Sequence, residues 1–108
     1  MQNVTPKWLA EGLVLVCERC STERIPEEDP EFAARLGDFR LRDWLKAKLK
    51  EDGRWGAIRA MSTSCIDVCA RRRVTVAIEP ERGPTRVFVV DPIDEKEALY
   101  EAIIGLLG

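Results

Sequence analysis

Histidine is absent from the 108-residue chain. That excludes an imidazole general base and restricts any metal site to thiolates, or to thiolates with carboxylates. Neither charge sign dominates: 17 Lys and Arg stand against 19 Asp and Glu, a formal net charge of -2. This balance makes no electrostatic case for general nucleic-acid or membrane binding. Aromatic residues are few, at 6%, and no stacking platform lies beside the one arginine cluster, Arg71 to Arg73. The longest apolar run is far short of a bilayer span. The start, MQNVTPKWLAEG, has no basic region followed by an apolar run, so no secretion signal is expected and the expected location is cytoplasmic.

What is present suits one ordinary globular domain over residues 1–108, with 33% charged and 45% hydrophobic residues. Gly12 to Cys17, GLVLVC, is apolar from Leu13 onward and reads as a strand covered on both faces. Ahead of it, Thr5-Pro6 reads as the start of a single helical turn carrying Trp8 and Leu9. Asp29-Pro30 is placed to cap a short helix through Leu36, ended by Gly37 in a left-handed conformation. Asp38 is expected to cap the strongest helix, where Leu41, Trp44, Leu45 and Leu49 make one apolar stripe and Gly53 ends it. Arg42, Lys46, Lys48 and Lys50 are expected to face water.

Ala57 to Thr63 reads as the second strand. Val74 to Glu79 alternates, with Val74, Val76 and Ile78 on one face. A turn at Arg82-Gly83-Pro84 leads to a partner strand, Thr85 to Val90, which Asp91-Pro92 breaks. Asp94 and Glu97 are placed as a capping box for a last helix with the stripe Leu99, Ala102, Ile103 and Leu106. The order β-α-β-β-β-α predicts an α/β (α+β) fold, with a four-stranded mixed sheet and two main helices packed on one face. A helical crossover would make the first two strands parallel. That arrangement is a thioredoxin-like core.

The four cysteines form two pairs, C-x2-C at Cys17 and Cys20, and C-x3-C at Cys65 and Cys69. Each pair follows a predicted strand. If those strands are parallel neighbours, all four thiols converge beyond their carboxyl ends, where α/β folds place their chemistry. Structural disulfides are not expected where thiols are kept reduced. Zinc and iron–sulfur clusters both accept a complete thiolate set, and buried thiols without metal are the remaining reading. The spacing differs from the plant-type and compact bacterial ferredoxin runs. It also differs from zinc knuckles with Pro and Gly in tight turns, since neither loop here contains glycine. A dithiol oxidoreductase is disfavoured: the segment from Ser21 to Gly37, with two prolines, separates Cys20 from the main helix, no proline lies between Cys69 and Arg73, and the second pair would have no purpose.

The strand into Cys17, the helix around Leu41 to Leu49, the strand into Cys65, the C-x3-C pair and the hairpin with its final helix together resemble the thioredoxin-like [2Fe-2S] ferredoxins, in the branch whose first pair is C-x2-C. The similarity runs from Leu13 onward, and only the cysteines are specific. More familiar members have their second cysteine about a dozen residues after the first, and glycines around C-x3-C. The resemblance implies a one-electron carrier rather than an enzyme, usually a homodimer, with a redox partner protein; the charge balance and short apolar runs argue for no nucleic-acid or membrane partner. It implies that Cys17 and Cys20 hold one iron, and Cys65 and Cys69 the other. The alternative is an interaction module stabilised by zinc on the four cysteines, without redox activity. In the ferredoxin reading Arg71, Arg72, Arg73 and Arg19 would stabilise the reduced cluster or guide docking, against a solvated loop as the plainer reading. Thr63, Ser64, Ser21 and Thr22 are candidate hydrogen-bond donors to sulfur.

Overall fold

A computed structural model of the chain describes residues 1–2, 11–17, 29–63 and 73–107. The elements are β1 (Gly12–Cys17), α1 (Pro30–Leu36), α2 (Leu41–Glu51), β2 (Ile58–Thr63), β3 (Val74–Pro80), β4 (Arg86–Val90) and α3 (Lys96–Leu107). The strands form one mixed sheet in the order β2-β1-β3-β4. β1 runs parallel to β2, with Val14 beside Ala60 and Cys17 beside Thr63. β3 is antiparallel to β1 and to β4. The predicted α+β class, with a four-stranded mixed sheet and two main helices, is the one observed, and the strand directions are those of a thioredoxin-like core. The expected turn at Thr5-Pro6, with Trp8 and Leu9, lies outside the described residues.

Alternation decides which face of the sheet is covered. Val14, Val16, Ile58, Ala60, Val74, Val76, Ile78 and Val90 all occupy even positions, so they share one face. They join Leu41, Leu45, Leu49, Leu99, Ile103 and Leu107 in a single buried cluster. α2 packs over β2 and α3 over β3. The opposite face carries Leu13 and Leu15, half-buried, with Met61, Val87 and Val89 exposed. On β3, Thr75 and Ala77 are buried along with the valines, so this inner strand is covered on both faces.

Local chemistry accounts for most of the boundaries. Asp29 Oδ1 accepts the Phe32 N–H at 3.0 Å, Pro30 opens α1, and Gly37 closes it at φ 56. The predicted cap of α2 at Asp38 is not observed. Phe39 N–H instead donates to Leu36 O at 3.1 Å, which extends the end of α1 across Asp38. Arg40 therefore takes the extended cap position of α2, without a side-chain cap bond. At the other end Arg54 N–H reaches Leu49 O at 2.8 Å and Gly53 N–H reaches Lys50 O at 3.1 Å, with Gly53 at φ 71. This is a Schellman closure, and it requires the positive φ that glycine adopts without strain.

The cap of α3 also lies earlier than expected. Asp91 Oδ1 accepts from Ile93 N–H at 2.8 Å and Asp94 N–H at 2.9 Å, while Glu95 Oε1 accepts from Asp91 N–H at 2.8 Å. Asp91 and Glu95 thus do the reciprocal capping assigned to Asp94 and Glu97. The buried stripe of α3 is Leu99, Tyr100, Ile103 and Leu107, and Leu106 is exposed. Nor do all of the cations on α2 face water. Arg42 Nε donates to Ala60 O at 3.0 Å on the outer strand β2. Lys46 and Lys50 of α2 and Arg59 of β2 surround the Trp55 ring at 4.7 to 6.0 Å, and Lys48 lies over Tyr100 at 5.7 Å. The charged groups themselves lie over the aromatic faces, in cation–π contacts.

Candidate metal centre

Of the four cysteines, Cys17 is described; Cys20, Cys65 and Cys69 lie outside the described residues. Cys17 ends β1, is 1% exposed, and belongs to the core cluster together with Phe32 of α1. Cys17 is paired with β2, and its neighbour Val16 is paired with both β2 and β3. Thr63, the last residue of β2, is the register partner of Cys17. β3 approaches from the other side. Its ladder with β1 ends at Val16–Val76, next to Cys17 in the sequence of β1.

That register has a consequence for the second pair. Residues 64–72 begin after Thr63 on β2 and end before Arg73 at the entrance to β3. These two strands flank β1. Adjacent strands lie about 4.8 Å apart, so the two anchors stand about 10 Å apart, on either side of Cys17. In sequence Cys65 follows Thr63 by two residues, Cys69 precedes Arg73 by four and Cys20 follows Cys17 by three. The described strand order thus makes residues 64–72 the connection between the two strands that flank β1.

The same end holds α1, the last residue of β4 and the first turn of α3. Arg73 stands 3.5 Å from Asp91 Oδ2 and 3.6 Å from Glu95 Oε1, so its charge is shared with the carboxylates that cap α3. Arg19, Arg71 and Arg72, with Ser21, Thr22 and Ser64, lie outside the described residues. A cavity of about 350 Å³ beside this end is lined by Arg35, Leu36, Phe39, Pro92, Ile93 and Lys96. Among the described residues no group of three or more Cys, Asp or Glu is arranged to hold a metal ion. The acidic side chains of Asp91 and Glu95 are engaged with backbone N–H groups and Arg73.

Thr75 was not among the residues singled out by sequence. It is fully buried on β3, a hydroxyl one strand away from Cys17. Its alternation with Val74 and Val76 signalled the face, but only the strand order sets β3 beside the strand that ends in Cys17.

The chain was compared with protein-family models, with curated proteins and with solved structures, and nothing matched. The functional reading therefore rests on the chemistry of these residues.

Proposed function

We propose that the protein is a one-electron carrier that holds a [2Fe-2S] cluster through Cys17, Cys20, Cys65 and Cys69, in the manner of the thioredoxin-like ferredoxins it resembles. The observation that carries this reading is the placement of Cys17 between the two strands that bracket Cys65 and Cys69. The donor set fits: thiolates complete the coordination of such a cluster, and there is no histidine to compete. When bound, the group supplies a reversible one-electron couple.

The chain's own residues have separate tasks in this reading. Cys17 is a rigid ligand, since a strand paired on both sides fixes its backbone. The covered face of the sheet excludes water on the core side of that ligand, and low polarity there disfavours added negative charge. In this reading Thr63, the register partner of Cys17, donates toward sulfur and offsets that penalty. No side chain here is assigned a catalytic role; the function is electron exchange with a redox partner protein in a reducing, cytoplasmic setting, by a homodimer. Among the described residues no helix is long and apolar enough to cross a membrane.

The test is an anaerobic visible absorption spectrum with iron, acid-labile sulfide and zinc assayed on the same sample. A red-brown protein with two irons and two sulfides per chain is the expected result. A colourless protein with one zinc per chain overturns it in favour of a structural module built on four zinc-bound thiolates, which chelation would unfold.

A further inference from the structure

The two outer edges of the sheet are treated differently. On β2, Arg42 reaches across from α2 and donates to Ala60 O. β4 has no such cover: among the described residues nothing hydrogen-bonds to its outer edge. Its side chains are exposed on both faces, Val87 by 44%, Phe88 by 38% and Val89 by 40%. An apolar, unpaired edge strand is a template for another strand, and proteins ordinarily blunt it with lysine, proline or a bulge. Only Arg86 does so here, at the first position.

We infer that β4 pairs antiparallel with β4 of a second copy of this chain, joining two four-stranded sheets into one. The strand is built for self-pairing. Pro84 and Pro92, which cannot donate to a ladder, bound it at equal distances from Phe88. A two-fold axis at Phe88 then pairs Val87 with Val89 of the second copy and Arg86 with Val90, and such a contact is isologous and closes at the dimer. The surface beside the strand accepts what this register delivers. A cavity of about 230 Å³ between β4 and α3 is lined by Phe88, Val89, Val90, Glu95, Ala98, Leu99 and Ala102. Its bed is apolar, suited to the second copy's Phe88 ring, and its one charge is the Glu95 carboxylate. The second copy's Arg86, on the same face and opposite Val90, meets that carboxylate. On the other face Val87 and Val89 of both copies extend the apolar row of Leu13, Leu15 and Ala77.

The interface rests on the homodimer of the function proposed above, but it lies at the sheet edge and needs no bound cluster, so its failure and that of the cluster assignment are distinguishable. Light scattering behind gel filtration, on the whole protein with and without metal, is expected to give twice the 12.2 kDa chain mass. The double variant Val87→Lys/Val89→Lys, at exposed positions, is expected to run at the single-chain mass with an unchanged circular-dichroism spectrum. Arg86→Glu brings two carboxylates together and is expected to raise the dissociation constant about tenfold or more. A wild-type chain that stays monomeric at every concentration tested overturns the inference and leaves the edge for a strand of a different protein. A dimer unaffected by the lysines overturns it as well, since its contact must then lie elsewhere.

Discussion

Tyr100 is the only tyrosine in the chain, so its ionisation can be followed without interference from any other phenol. Its ring is buried between the helices, edge-on to Trp44 at 6.3 Å between centroids, and its hydroxyl donates to Asp52 at the end of α2. Burial, then the hydrogen bond to Asp52 and that carboxylate's charge, push its pKa up from 10.0 to about 12. The folded state therefore keeps a proton that the unfolded chain releases. Stability from this group is fully present below pH 10, falls as pH rises, and is lost above about 12. At 1.36 kcal/mol per unit, the ceiling on that loss is about 2.7 kcal/mol. Asp52 is exposed, and water screens its charge, so we expect about 1 kcal/mol. Tyrosinate absorbance against pH on the cluster-free protein gives the midpoint directly, and denaturant unfolding monitored by tryptophan fluorescence at pH 8 and pH 11 gives the stability change. Tyr100→Phe supplies the background from lysine titration. Asp52→Asn should lower the midpoint yet leave it above 10, because burial, the largest cause, remains. A wild-type midpoint at 10 in the folded protein would refute the packing of Tyr100 between α2 and α3.

Three other outcomes are expected. Cys17→Ala should abolish visible absorption and bound iron while leaving a folded sheet; retention of the full iron and sulfide content would remove Cys17 from the ligand set. Gly12→Ala should destabilise by about 1–3 kcal/mol, because an added Cβ would meet Glu79 O and Leu107 Cδ2 at 2.7 Å and the backbone oxygen cannot step aside; a thermal midpoint within a degree of wild type would contradict that approach. Leu45→Ala, at a fully buried site between α2 and the sheet, should cost about 2–5 kcal/mol in denaturant unfolding.

Much of this protein is legible in its sequence. Periodicity marks every described strand and helix within a residue or two, because a strand's alternation and a helix's stripe are written among near neighbours. Glycine and proline punctuation holds for the same reason: Pro30, Gly37 and Gly53 act on their own backbone. The caps of α2 and α3 were misplaced because several acidic residues near each start compete for the role. The choice depends on how the preceding element ends, at Leu36 for α2 and at Val90 for α3. The fates of Arg42, Lys48 and Tyr100 depend on what another element brings alongside, and no local pattern records that.

By itself, then, the sequence determined the elements, the absence of histidine and the two cysteine pairs placed after strands. Only the tertiary structure decided the strand order. That order sets β2 and β3 on either side of the strand that ends in Cys17, puts Arg42 over the edge at β2 and leaves the edge of β4 unpaired among the described residues. The physical reason is range. Propensity and alternation act over a few residues, whereas strand neighbours are selected by burying a shared apolar face, a choice made between segments that are distant along the chain.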